Sequence, residues 1–352
     1  MKRFYRAASL FLVLSITASQ ALAINTSAVS SILVEQGSGR VLYENNADEE
    51  RLIASITKIM TALVALENGD LSEKYTVTAE DMAEGSSMYL VPGEEVELRE
   101  LLYGLMLRSG NDAALAVAHA VGGELSHFVD MMNEKAEALG MTHSHFANPN
   151  GLDAEGHYSS ARDMAVLTAC AMKNEEFRRI VATTSVKIGD RCLTNHNKLL
   201  RIYSGCIGVK TGFTKAAGRT LVSAAQRDGM TLICVTLCDG DDWRDHMSLL
   251  DYGFETYQRK IIAKAGQPLT EIRIRGGTTP KIALAAAEDL GYPVCGEEKL
   301  TLKAESPLAV DAPVVPGQVL GRAYAYLDGE EVASVDLVAA EPSAAREEAR
   351  RP

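Results

Sequence analysis

The sequence predicts an α+β protein with two domains. An antiparallel sheet is assembled from both ends of the first domain around an all-helical insert, and a small β-rich domain follows. Three observations predict this. Strand-like hairpins occur at 31–43 and again at 219–237, the residues between them carry apolar side chains at helical spacing, and from residue 263 onward no long helical period survives. At roughly 100–200 residues per domain, a chain of 352 residues also suits two domains.

Residues 1–23 read as an export signal. Lys2, Arg3 and Arg6 give a positive start, Leu10 to Ile16 a short apolar core, and Ala21-Leu22-Ala23 a small-residue cleavage site. The apolar stretch falls short of the roughly 20 residues that span a bilayer. Cleavage removes three positive charges and takes the net charge from −12 to −15. The expected location is outside the cytoplasmic membrane, in the periplasm or cell-wall space.

The first domain spans 24–262. Ser31 to Gln36 and Arg40 to Tyr43 are strands joined at Gly37-Ser38-Gly39. A helix follows Ser55, buries Ile59, Met60, Leu63, Val64 and Leu66, and ends near Gly69. Leu98 to Gly123 is helical with a break at Ser109-Gly110-Asn111, and Leu125 to Leu139 continues the pattern. Ser160, with Asp163 three residues on, resembles a capping box. Arg219–Gln226 and Met230–Leu237 flank Asp228-Gly229 and read as a central hairpin. Trp243 to Tyr257 returns to helix, with Trp243 as a core residue.

The second domain spans 263–340. Its strand-like pieces are Glu271–Ile274, Lys299–Lys303, Gly321–Tyr326 and Val332–Val338, the last two joined at Asp328-Gly329. Residues 341–352 are charged and Ala-rich and read as a solvated tail. They carry no apolar stripe for an amphipathic anchor, so membrane attachment is left open.

Composition narrows the function. A hydrophobic fraction of 47% supports a real core, and the acidic balance without a basic stripe argues against nucleic acid as a partner. Cys234 and Cys238 fall on one face of one strand, about 13 Å apart, too far to bond. Cys170 lies in a helical apolar pattern. The expectation for the six cysteines is buried thiols, not a disulfide framework. His143 and His145 alternate as in a two-His metal site but have no carboxylate motif nearby, while His157, His196 and His246 are scattered. No metal site is expected.

Three separated signatures carry the chemistry: Ser55-Ile-Thr-Lys58, Ser109-Gly-Asn111 and Lys210-Thr211-Gly212. One helical turn separates Ser55 from Lys58, so both side chains share a face. A serine hydroxyl needs a base, and a Lys amine serves once burial or a second cation such as Lys210 lowers its pKa. The N–H of Ser55 at a helix start and that of Phe213 offer two donors for an oxyanion. Asn111 can both donate to and accept from a peptide bond. Gly212 permits close approach of a substrate backbone to its strand, beside Lys210 and Thr211, which suit a carboxylate. Each signature alone is commonplace, a capped helix, a turn or a strand start. All three, in this order, point to serine acylation.

On these motifs the chain resembles the serine-type D-alanyl-D-alanine carboxypeptidases, low-molecular-mass penicillin-binding proteins with a β-lactamase/transpeptidase-like fold. Further blocks match: Ala54-Ser-Ile-Thr-Lys-Ile-Met60, Gly85-Ser-Ser-Met-Tyr-Leu-Val-Pro-Gly93, Ser109-Gly-Asn-Asp-Ala113, Asn148-Pro-Asn-Gly-Leu152 and Lys210-Thr-Gly-Phe-Thr214. The likeness runs from about residue 28 to 260. It implies removal of terminal D-Ala from peptidoglycan stem peptides through an acyl-enzyme on Ser55, inhibition by β-lactams, and no cofactor. Lys58 would accept the proton, Ser109 relay it, Asn111 hold the peptide, and Lys210 and Thr211 hold the terminal carboxylate with Arg244. Two rivals stay open: a serine β-lactamase, although no Glu-x-x-Leu-Asn segment occurs, and a non-catalytic wall-binding protein on the same scaffold.

Overall fold

A computed structural model describes residues 24–346. The export signal lies outside the described residues.

In the first domain β1 (Ser30–Glu35) and β2 (Val41–Asn45) form the opening hairpin. A 3-10 turn, Ala54–Thr57, runs straight into α1 (Lys58–Asn68). The short strands β3 (Lys74–Thr76) and β4 (Glu95–Glu97) pair ahead of α2 (Leu98–Leu107), α3 (Asn111–Gly122) and α4 (Leu125–Ala138). Next come α5 (Ala161–Ala171), α6 (Glu175–Ala182), a ribbon of β5 (Ser185–Ile188) with β6 (Arg191–Thr194), and α7 (Leu199–Ile202). The long strands β7 (Cys206–Thr214), β8 (Gly218–Arg227) and β9 (Met230–Asp239) lead to α8 (Asp242–Thr256). The insert is thus mainly helical, with two short ribbons that three- and four-residue strands were too brief to announce.

The five-stranded sheet has the order β2-β1-β9-β8-β7, every neighbour antiparallel, so β7 is an edge. Successive residues of a strand face opposite sides. Ile32, Val34, Val222, Ala224, Ile233 and Val235 join the large core shared with the helical insert. Leu33, Leu221, Ala225, Leu232 and Cys234 pack in the core under α8. Burial on both faces explains why β8 and β9 read as near-continuous apolar runs. At the start of α5 only half of a capping box forms. Ser160 Oγ accepts from Asp163 N, while the Asp163 carboxylate accepts instead from His143 N and Ser144 Oγ.

The second domain begins earlier than residue 263. β10 (Tyr257–Ala263) pairs with β13 (Leu290–Cys295), so the division follows the end of α8. A six-stranded sheet has the order β14-β16-β17-β12-β11-β15, built from β11 (Pro268–Arg275), β12 (Lys281–Ala286), β14 (Leu300–Glu305), β15 (Ala309–Asp311), β16 (Val319–Leu327) and β17 (Glu330–Ala339). The Ala-rich run of β12 has little strand propensity, and its sequence pattern does not announce a strand. Its place between β17 and β11 overrides that propensity. The tail reading also needs correction for 341–346. Ser343 is buried and exchanges backbone hydrogen bonds with Val314, and Arg346 N donates to Gly276 O.

Arg40 joins the two domains. Its guanidinium donates to both oxygens of Glu298 (2.7 and 2.8 Å) and to Pro293 O, and it sits over the rings of Tyr257 and Tyr292. All six cysteines are free thiols in the structure, but they are not all buried. Only Cys234 is buried, Cys192 is exposed on the thin β5–β6 ribbon, and the other four are half-buried. Among the described residues no helix is long and apolar enough to cross a membrane.

Candidate active site

The 3-10 turn, the α2–α3 junction and β7 meet at Ser55. Ala54, just before the serine, has a φ of 50°, a left-handed value that bends the chain and presents Ser55 at the head of α1. Gly212 packs directly against this turn. A Cβ added there would lie 3.0 Å from Ser55 N, 3.1 Å from Ile56 N and 2.3 Å from Thr220 Oγ1. Close backbone approach therefore requires glycine at this strand position. Gly212→Ala is expected to force the turn off the strand and slow acylation of Ser55 roughly a hundredfold, a displacement effect that rapid-quench kinetics would read.

Lys58 is fully buried and fully partnered. Its Nζ lies 3.0 Å from Ser55 Oγ, 2.8 Å from Asn111 Oδ1 and 2.5 Å from Asn150 O. Asn111 Nδ2 donates to Glu84 O at 2.6 Å, which fixes the amide so that Oδ1 must face Lys58. Both Asn111 Oδ1 and Asn150 O can only accept. A neutral amine gives them its two hydrogens and turns its lone pair to the Ser55 hydroxyl. Burial holds Lys58 well below the ordinary lysine range, the charge of Lys210 pushes it further down, and Asp112 opposes both.

Lys210 is equally buried and is pushed down to about 7 by burial alone. Its Nζ donates to Thr211 O at 2.7 Å. Ser109 is buried with a φ of 59°, and its hydroxyl has no hydrogen-bond partner among the described residues. The neighbouring Asp112 accepts from Ser87 Oγ, Met88 N and Leu90 N, tying the 85–91 segment to the start of α3. Phe213 is exposed at the end of the strand.

Arg244 lies on α8. It is exposed in the first turn of α8 and makes no ion pair or hydrogen bond among the described residues. Arg219 instead stands directly opposite Phe213 in the β7–β8 ladder, half-exposed, 3.4 Å from Asp242. Thr57 and Asn150 lie inside the quoted blocks without a role assigned to them, and Arg219 and His157 lie outside the blocks. Arg219 could have been found by counting back across the β7–β8 hairpin once its turn was located. The histidines do not converge. His145 Nδ1 lies by Gly156 O, His246 reaches from α8 to Ser223 and Thr236 on the sheet, and His157 sits behind Ser55. His196 is pushed to about 4 by burial and by the charges of Lys210 and Arg108.

The family model described as D-alanyl-D-alanine carboxypeptidase matches residues 15–240, a span that holds all three signatures. The chain belongs to the D-alanyl-D-alanine carboxypeptidase family. A second model, the C-terminal domain of penicillin-binding protein 5, matches residues 257–343, in step with the start of β10. Relatives of the family cover nearly the whole chain. D-alanyl-D-alanine carboxypeptidase DacF of Bacillus subtilis is 34% identical over 332 residues, 89% of this chain and 85% of its own length. The DacA enzyme of Escherichia coli K12 is 33% identical over 88% of this chain and 82% of its own length. Among solved structures, penicillin-binding protein 5 of Haemophilus influenzae superposes with a TM-score of 0.75 at 29% identity, covering 91% of this chain and 98% of the other. PBP3 of Streptococcus pneumoniae gives 0.80 at 26% identity, covering 91% and 100%. These relatives favour neither the β-lactamase nor the non-catalytic alternative.

Proposed function

We propose that this D-alanyl-D-alanine carboxypeptidase cleaves the terminal D-Ala from peptidoglycan stem peptides through an acyl-enzyme on Ser55. The observation that carries the reading is the buried Lys58 amine, whose two acceptor-only partners leave its lone pair for Ser55. Lys58 takes the Ser55 proton as Oγ attacks the penultimate carbonyl. The N–H groups of Ser55 and Phe213 hold the oxyanion. Ser109 passes the proton to the leaving amine, free D-Ala departs, and Asn111 keeps the peptide in line. Water then cleaves the ester, and the proton returns to Ser55. The chain acts after export, and β-lactams acylate the same serine.

The terminal carboxylate is held by Lys210, Thr211 and, in place of Arg244, Arg219. Support for Arg219 is its register opposite Phe213, one residue past Gly212 on the edge strand. Arg219→Gln is expected to raise KM for peptides with a free terminal carboxylate about tenfold, in line with loss of one charge-assisted bond, and to spare amidated peptides. Arg244→Gln should leave both unchanged. The opposite pattern would restore Arg244.

The reading is tested by intact mass after brief exposure to benzylpenicillin, alongside D-Ala release from a short peptide ending in D-Ala-D-Ala. One stable adduct on Ser55 and release of D-Ala are expected. Rapid consumption of the drug without a lasting adduct would favour a β-lactamase. An unmodified protein with the drug intact would mean an inert site.

A further inference from the structure

His157 is buried behind the serine turn, and its hydrogen bonds fix its protonation state by donor counting. Thr57 Oγ1 lies 2.8 Å from Ala54 O and 2.8 Å from His157 Nε2. The hydroxyl has one hydrogen, and Ala54 O can only accept, so that hydrogen goes to Ala54 O. His157 Nε2 must then donate to Thr57. On the other side of the ring Ala147 N donates to His157 Nδ1 at 3.0 Å, so Nδ1 carries no hydrogen. One neutral tautomer satisfies every contact. An imidazolium would set an N–H against the Ala147 N–H.

The two nitrogens do different things. Nδ1 closes the loop Ala147–His157 at its ends, and Nε2 fastens that loop to the Ser55-Ile-Thr-Lys58 turn. The loop in turn supplies the site. Asn150 O is the closest partner of Lys58, Pro149 O accepts from Thr61 Oγ1, and a Cβ on Gly151 would fall 2.1 Å from Ala54 O. The bent Ala54 is therefore gripped from below through Thr57 and from the side by Gly151.

We propose that His157 is a positioning residue for the carboxypeptidase reaction: by clamping the Ala147–His157 loop to Thr57 it holds Asn150 O on Lys58 and keeps the bend that presents Ser55. It touches no substrate. The inference rests on Ser55 as nucleophile and Lys58 as base. The groups facing the ring are Lys58, His145 and Asp153. Burial, then His145, pushes His157 down to about 4, with Asp153 opposing. The folded state thus prefers the neutral ring, and the clamp is fully present above the ordinary histidine pKa and lost as pH falls toward 4.

The test compares wild type with His157→Phe, His157→Gln, Thr57→Val and the double variant Thr57→Val/His157→Phe. For each, kcat, KM, thermal midpoint and the acid limb of the pH profile are measured on a short peptide ending in D-Ala-D-Ala, and the penicillin adduct is mapped by mass. His157→Phe should lose roughly a hundredfold in kcat with KM nearly unchanged, as expected when reacting groups are misplaced without loss of binding contacts. His157→Gln, whose amide can donate and accept at the same two points, should recover most of that loss. The double variant should be no worse than the poorer single one, because both break one chain of bonds. Wild-type kcat in His157→Phe overturns the inference. So do additive losses, or equal losses in Phe and Gln that follow the thermal midpoint alone. If His157→Phe does not fold, the Gln variant and Thr57→Val decide: a wild-type kcat in Thr57→Val also overturns it. A wild-type adduct mapped away from Ser55 would instead overturn the site reading, and this inference with it.

Discussion

Ser55→Ala is expected to abolish D-Ala release and penicillin labelling together, with the protein still folded. The hydroxyl is half-buried and its one hydrogen-bond partner among the described residues is Lys58, so little packing is lost. What disappears is the covalent route. Removing the nucleophile of a serine hydrolase lowers kcat by about 10⁴-fold or more, leaving only what binding and oxyanion donors provide. Release measured by a D-amino-acid assay and adduct formation by intact mass should fall to background in parallel. Labelling that persists in the variant would show that another residue is acylated.

Lys58→Met is the second large effect, and it should separate binding from chemistry. Methionine approximates the volume but offers no lone pair, so Ser55 keeps its proton. General-base loss is worth roughly 10²–10⁴ in rate, and Asn111 Oδ1 and Asn150 O are also left facing a thioether. KM should move far less than kcat. The pH profile of wild-type kcat/KM should be bell-shaped, needing neutral Lys58 on the acid side and charged Lys210 on the alkaline side, the latter near 7. Lys210→Met should move the acid limb to higher pH, because the Lys210 charge is one cause of the low Lys58 value. An acid limb unmoved by Lys210→Met would mean that the two amines do not feel each other. Lys58 titrates lower in the folded than in the unfolded chain, so unfolding binds protons and stability should rise with pH up to the ordinary lysine range.

Most of the architecture was legible because strong periodicities are local. The hairpin at Gly37-Ser38-Gly39, the helices of the insert and the β8–β9 turn at Asp228-Gly229 each carry their signal within a dozen residues. The elements that were missed depend on partners far away in sequence. β12 is an alanine-rich segment made a strand by β11 and β17, and β10 is a strand only because β13 lies beside it. The same division holds at the site. The three signatures were legible because they depend on residue type and spacing, and the structure brings Ser55, Lys58 and Asn111 together. Asn150 acts through a backbone carbonyl, which no side chain advertises. His157 and Thr57 depend on a contact across 100 residues. Arg219, the proposed alternative to Arg244, depends on strand register.

The edge position of β7 has a consequence for how the molecule avoids its own copies. An edge strand with free backbone groups is a template for pairing with other chains, and one common safeguard is a charged residue pointing inward from the edge. Lys210 is such a residue, with its amine buried at the strand that stays open on one side. A peptide with a terminal carboxylate can satisfy that amine, whereas a neighbouring copy's strand would bring it only neutral backbone. The buried amine of the proposed carboxylate site thus also discourages edge-to-edge aggregation.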